Sequence, residues 1–347
     1  MATEIAPSKP VSAKPADNRV APPNIIRRWG SQLGIIGVGL VMWIAFVIAA
    51  PSVFTNVDIY VAFAQTTPVF GIIALALTFV VITGEIDLSF PSIMALGTAI
   101  FCLGVTQWGL PWYAALVAAL VTGAVCGWIN GALVARLNIP SLVITIGTQF
   151  LFRGLELVLM NGTGVPLTED AYPALHAMFR EPLFGVLPIQ TVWMVVLGVI
   201  MWLLLNRTRF GAHVFLVGDN PTSARLMGIN AVSVKTRAFV LVGLLAVLAG
   251  LMTSIYGYYF WPTTGDGYLL TSIASVFLGG TSVFGGTGSI VGTFVASYII
   301  GAINAGIVSA GINAFYTQLA FGLVIVVSVV LQTIIERRIR RQSITGR

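Results

Sequence analysis

RTRFGAHVFLVGDNPTSARLMGINAVSVKTR, residues 207–237, is a basic, turn-rich island between two long apolar runs. Within it, Asn220-Pro221 is a helix-start signal. The Asn side chain accepts from the first free backbone N–H groups, and Pro gives up a donor that would have gone unpaired. Gly228 is the matching stop, because glycine takes the left-handed conformation that closes a helix. The segment between them, PTSARLM, makes a helix of about two turns, far too short to persist alone in water. Something outside must hold it. Two readings are open at this point: a docking helix for a soluble partner, or an ordinary capped helix in a loop.

Outside the island the chain reads as membrane. Hydrophobic residues make up 57% of it, charged residues 9%, and the mean hydropathy is +0.94. That leaves too little polar surface to cover a soluble globule of 347 residues. A helix rising about 1.5 Å per residue needs about 20 apolar residues to cross about 30 Å of hydrocarbon. The rule gives ten spans, near 32–50, 60–83, 89–107, 111–135, 140–159, 189–205, 237–258, 271–285, 288–310 and 314–333, the eighth being short. The expected fold class is all-α, a polytopic membrane protein of about ten transmembrane helices. The first run is too long for a signal-peptide core and lacks a small-residue cleavage site, so it is expected to remain as an anchor.

Ten spans put both termini on one side. Sixteen of the 18 Lys and Arg residues share that side: before the first span, at Arg136, within the island and after the last span. By the positive-inside rule it is the cytoplasm. The net charge of +6 is therefore mostly a topology signal, and nucleic acid is not an expected partner. The layout is a polar, Pro- and Ala-rich tail over 1–30, expected to be disordered, a transmembrane domain over 31–335 and a basic cytoplasmic tail over 336–347. Within the domain lie a cytoplasmic loop, 206–236, and an outer loop, 160–188, long enough to hold structure and to meet an extracytoplasmic partner. Cys102 and Cys126 sit in apolar runs as small core residues, and His176 and His213 are isolated, so no disulfide or metal site is expected.

Two loops on the cytoplasmic side carry no basic residue. ITGEIDLSFPSIMALGT, residues 82–98, places Glu85 and Asp87 beside predicted membrane, followed by Ser89 and Ser92. FLGGTSVFGGTGSIVGT, residues 277–293, has glycine and hydroxyl residues instead of acids: Gly279, Gly280, Thr281, Ser282, Gly285 and Gly286. With Glu85 aligned on Ser282, the pairs Ser92-Ile93 and Ser289-Ile290 fall in register, each opening an apolar helix, which hints at an internal duplication. Helix breaks inside a membrane are tolerated where the backbone lines a cavity or is buried in protein, and transporters use them for substrate passage. These residues are the candidate lining of a translocation path where the two segments approach each other. The other reading is a pair of tight turns with solvated carboxylates.

Lesser signals complete the survey. Arg153 and Glu156, at i and i+3 in the fifth span, are close enough to pair on one helix face. Gly123, Gly127 and Gly131 form two overlapping GxxxG steps that let another helix approach closely, with internal packing as the expected use. YGYYFW, residues 256–261, stands at the outer boundary, where an interfacial belt is favoured over a stacking surface at the mouth of a path. No G-x-x-x-x-G-K-[ST] is present, and none of Lys9, Lys14 and Lys235 follows Gly, so this chain is not expected to bind ATP or another cofactor. Nor is there an H-E-x-x-H, a G-x-S-x-G or a ladder of intramembrane acids. Energy for any transport must come from elsewhere.

Three segments carry a family resemblance: TGEIDLSFPSIMALG (83–97), GDNPTSARLMGINAVSVKTRAFVLVGLLAVLAGLM (218–252) and FLGGTSVFGGTGSIVGTF (277–294). They resemble the GGIDLSVGS, GxNPEAARLSGI and LGGTSxxGGxGSxxGT patterns of permease subunits in ABC importers for simple sugars of the ribose, xylose and galactose type. The resemblance covers roughly 30–335. It implies a type II ABC importer-like permease fold in a bacterial inner membrane. A second permease subunit, identical or paralogous, would complete the pathway. ABC ATPase subunits would bind the ATP beneath, and a periplasmic binding protein would deliver substrate from above. PTSARLMGI would be the coupling helix in a cleft of the ATPase, its segment comprising Gly218, Asn220, Pro221, Ala224, Arg225, Leu226, Gly228 and Ile229. Arg225 would meet the partner as a charge, and Leu226, Met227 and Ile229 would supply apolar contact. Glu85 stands where the family most often has Gly, and Phe90-Pro91 replaces Val-Gly. A self-sufficient secondary carrier, running on an ion gradient without an ATPase, is the alternative. A membrane enzyme would need a clustered catalytic set that the sequence does not offer.

Overall fold

The computed structural model describes residues 37, 39–41, 43, 44, 46–48, 50–309, 313 and 315–345. The predicted tail 1–30 lies outside them. The helices run in the order α1 (Gly39–Ile48), α2 (Pro51–Phe54), α3 (Val57–Ile82), α4 (Phe90–Thr106), α5 (Trp112–Leu137) and α6 (Ser141–Met160). Then come β1 (Val165–Pro166), α7 (Pro173–Phe179), α8 (Ile189–Arg207), α9 (Arg209–Asp219), α10 (Pro221–Leu226) and α11 (Ala231–Tyr256). The chain ends with β2 (Tyr259–Phe260), α12 (Tyr268–Leu278), α13 (Ile290–Ser309) and α14 (Phe315–Thr345). Among the described residues, α3, α5, α6, α8, α11 and α13 are long and apolar enough to cross a membrane, whereas α1, α4, α12 and the first part of α14 are shorter apolar helices. Each of the ten predicted spans falls on one of these ten helices. The protein is all-α and multi-pass.

Helices α3 and α11 form the centre. Both are apolar on every side over most of their length, the pattern of a helix largely enclosed by others, although the first two turns of α11 carry Ser233, Lys235, Thr236 and Arg237, and α11 packs on α5, α3 and α4. Their starts are set locally: the Asn56 side chain accepts from Asp58 N–H at 3.0 Å and Asn230 accepts from Ser233 N–H at 3.0 Å. Pro68 sits inside α3, where its missing N–H frees the carbonyl of Ala64. The Thr191 hydroxyl of α8 donates to that carbonyl at 2.5 Å, so the acceptor that Pro68 leaves free is paired. The GxxxG face of α5 meets α11: a Cβ at Gly123, Gly127 or Gly131 would overlap backbone at Gly243, Phe239 and Thr236. Its use is internal packing.

Three expectations need correction. The eighth span, placed at 271–285, is the 11-residue helix α12, Tyr268–Leu278. At roughly 16 Å it is too short to cross. It stops because Gly279-Gly280 turns the chain, Gly280 taking a φ of 84°, and because a Cβ at Gly279 would strike the backbone at Thr293. The two Ser-Ile pairs do not hold equivalent places. Ser92 is the third residue of α4, with Pro91 in the first turn, while Ser289 precedes α13 and caps Gly292 N–H at 3.1 Å. Arg153 does not pair with Glu156. Its guanidinium bonds the carbonyls of Pro262 and Thr264 and the carboxylate of Asp266, and both Glu156 carboxyl oxygens are buried without a hydrogen-bond partner among the described residues. Helix α14 itself continues into the basic tail as far as Thr345.

At the end of the bundle away from α9 and α10, the 160–188 loop holds structure. Strand β1 pairs antiparallel with β2, Val165 opposite Phe260. In α7, His176 lies 2.8 Å from the Leu167 carbonyl through Nε2 and stacks on Tyr258. The Arg180 guanidinium sits 4.1 Å from the centroid of that Tyr258 ring.

Candidate functional site

The island folds as its caps dictate. Asn220 accepts from Thr222 N–H at 3.0 Å and Ser223 N–H at 2.9 Å, Pro221 occupies the first position of α10, and Gly228 closes the turn with a φ of 80°. Leu226 is 86% exposed and Met227 59%, beside an exposed Arg225. Two large apolar side chains at the tip of a polar-ended element make a surface that a partner can cover. Ile229 does not share it. It is 9% exposed and, with the buried Ala224, belongs to the core, so these two residues anchor α10 from beneath.

The three segments that carried the family resemblance meet at one point, the foot of α3. The Ile82 carbonyl, one of the last of its helix and otherwise orphaned, accepts from Gly286 N–H at 2.8 Å. Gly218, two residues before the α10 cap, presses on the same carbonyl: a Cβ there would overlap the Ile82 oxygen and crowd Gly286 N at 2.7 Å. Gly285 packs against the backbone of Gly84 and Gly218, and Gly286 against Asp219. Gly286 has a φ of 75°, a conformation that an L side chain would resist. Of the residues predicted from sequence, Gly218, Gly285 and Gly286 are at this junction, and on the side of the first break the backbone contact is made by Ile82 and Gly84, which were not among them. Ser282 N–H donates to Thr287 O at 3.0 Å, holding the second break in a closed turn.

Above this junction Asp87 and Ser89 of the first break are buried, and Glu85 is partly so. Asp87 Oδ1 accepts from Ser89 N–H at 2.8 Å and from Ser89 Oγ at 2.6 Å, and Asn130 of α5 donates to Ser89 Oγ at 2.7 Å. Ile86 N–H donates to Ser141 Oγ at 3.0 Å, which ties the break to α6. Ser92, Thr281 and Ser282 are buried as well. Glu85 forms an ion pair with Lys235 of α11, both largely enclosed. Glu85→Gln leaves the Lys235 ammonium without its countercharge in a poorly hydrated place. We expect a loss of about 1–3 kcal/mol, read as a lower unfolding temperature in detergent. Adding Lys235→Met should recover most of it, because replacing both members of an enclosed pair costs less than removing one.

A second feature, absent from the sequence reading, lies at the opposite end. A cavity of about 880 Å³ opens between α3, α11, α12, α13 and α14. Gln65, Tyr256, Asp266, Thr271, Asn304 and Gln318 are among its polar lining, over a floor that includes Phe70, Met252 and Phe321. The Tyr256 hydroxyl donates to Gln65 Oε1 at 3.0 Å, so the first residue of the aromatic run lines this cavity. None of the ten residues predicted to line a path borders it. Single amides such as Gln65 and Asn304 inside apolar runs were the available signal. In lipid their hydrogen-bonding groups would be costly to leave unpaired, which points to a watered path or a covered face.

The sequence matches the family described as branched-chain amino acid transport system / permease component over residues 59–329. It is 36% identical over 261 residues to a ribose import permease protein of Bacillus subtilis (strain 168), covering 75% of this chain and 80% of that protein. An autoinducer 2 import system permease protein of Photorhabdus laumondii is 33% identical over 317 residues, 90% of this chain and 93% of that protein. A ribose import permease protein of Escherichia coli (strain K12) is 34% identical over 298 residues, 85% of this chain and 91% of that protein. No solved structure matches the chain.

Proposed function

The chain belongs to the branched-chain amino acid transport system / permease component family, and on that premise we propose that it forms the translocation path of an ATP-driven importer for a simple sugar or sugar-like compound. It is a permease subunit and not an enzyme, a multi-pass protein of the inner membrane. Its partners on this reading are an ABC ATPase beneath α10, a binding protein above the cavity and a second permease subunit. The basic end faces the cytoplasm, as the distribution of Lys and Arg suggests. The chain itself holds no nucleotide; ATP belongs to the ATPase.

The observation that carries the reading is the three-way junction at Ile82. The end of α9, which leads directly into the capped surface helix α10, abuts through Gly218 the foot of the central helix α3 and Gly286 of the second break. Motion of a partner against Leu226 and Met227 is thereby delivered to α3, whose other half lines the cavity. Gln65, Thr66, Asn304 and Gln318 supply uncharged hydrogen-bonding groups there, the chemistry that suits a neutral polyhydroxylated solute. Glu85, Asp87, Ser89, Ser92, Thr281 and Ser282, with Gly279, Gly280, Gly285 and Gly286, act as the closed inner part of the path. They become accessible when the junction opens.

Thiol labelling tests this. Asn304→Cys is expected to react with a membrane-impermeant reagent added from the cavity side. Ser89→Cys and Ser282→Cys should be protected at rest and gain reactivity when the ATPase turns over. Labelling of Ser89→Cys and Ser282→Cys that ignores both substrate and nucleotide would remove these residues from the path.

A further inference from the structure

We propose that a groove at the basic end, bounded by α5, α8, α9 and α11, is a binding site for an anionic phospholipid. The groove has a volume of about 640 Å³, and its lining includes Arg136, Arg237, Ser233 and Thr236 together with Trp128 and Leu241. Arg136 stands in the last turn of α5, and Arg237 in the second turn of α11, which runs antiparallel to α5 from the same end. Both arginines are exposed. The ion pairs among the described residues join Arg153 to Asp266, Arg180 to Glu169 and Lys235 to Glu85, and none involves Arg136 or Arg237. Lys235 is turned inward to Glu85, so the two arginines are left as the cations of the groove.

The rest of the groove selects the ligand. Guanidinium forks match the oxygens of a phosphodiester, and the Ser233 and Thr236 hydroxyls add neutral donors. Trp128 lies eight residues before Arg136 on α5, about 12 Å deeper in the bundle, and is half exposed. Trp128 and Leu241 give an apolar wall that a free phosphate would not use and that an acyl chain would cover. A basic rim over an apolar wall between membrane helices fits a lipid with a negative headgroup. A zwitterionic lipid brings its own cation to the same rim and loses part of the attraction.

The full chain, purified in detergent and offered equal amounts of phosphatidylglycerol and phosphatidylcholine, should retain phosphatidylglycerol preferentially in native mass spectrometry. Arg136→Gln combined with Arg237→Gln should lower that preference roughly 25-fold, about fivefold for each arginine. Arg136→Lys with Arg237→Lys keeps the charge and should retain most of the preference, which separates loss of the site from loss of the fold. Inorganic phosphate at millimolar concentration should not displace the lipid. Unchanged lipid preference in the double Gln variant, or displacement by phosphate alone, would overturn the proposal.

Discussion

Gly218→Ala should lower ATP-driven uptake roughly tenfold or more while the protein still reaches the membrane. The added methyl has nowhere to go. It would overlap the Ile82 carbonyl oxygen and crowd Gly286 N, and both atoms are backbone, fixed to each other by a 2.8 Å hydrogen bond. Backbone cannot rotate aside as a side chain tip can, so either α9 shifts off the foot of α3 or the Gly286 bond breaks. Overpacking of this kind costs about 1–3 kcal/mol, and here the cost falls on the contact that joins the docking surface to α3. Gly147→Ala on α6 is the control: no atom stands within 4 Å of its added Cβ, and it should transport normally. Uptake and unfolding temperature measured on both variants check the expectation. Normal uptake by Gly218→Ala would mean that α9 and α3 move independently.

Gly228→Pro should abolish uptake by a different route. The native φ of 80° at this position is closed to proline, whose ring holds φ near −65°. Proline also removes the N–H that bonds the Arg225 carbonyl at 2.9 Å, and it pushes the preceding Met227, the C-cap with ψ of 7°, toward extended backbone. The exposed pair Leu226 and Met227 would lose its geometry, while no atom lies within 4 Å of the Gly228 Cβ position to be disturbed in the bundle. The variant should therefore be inserted and folded, with the cavity intact, yet fail to couple. Gly228→Ala retains the N–H and should cost only about 1 kcal/mol of left-handed strain, giving partial activity. Co-purification with the ATPase and uptake, measured on the same preparation, separate the two variants.

What the sequence disclosed follows from how local each signal is. Asn220, Pro221 and Gly228 act on their own neighbours, and α10 has the caps they imply. The spans were legible because length and apolarity decide them. Ile229 was misassigned to the partner surface because burial of a residue one step past a turn depends on what lies beneath it. The end of α12 was missed because Val283 and Phe284 prolong the apolar run beyond the glycines that stop the helix. Arg153 reached a loop more than a hundred residues away, a choice that i, i+3 spacing cannot reveal. The cavity was invisible for the same reason. Its polar residues come singly from separate helices, and only the packing of α3, α11, α12, α13 and α14 gathers them.

The most direct measurement is uptake of radiolabelled sugar by liposomes that hold this chain with its candidate ATPase, with the binding protein supplied on the cavity side. The predicted result is accumulation that needs ATP and both partners and that disappears with Gly228→Pro. Accumulation by the chain alone on an ion gradient, without the ATPase, would contradict the coupling role of α10 and the junction at Ile82.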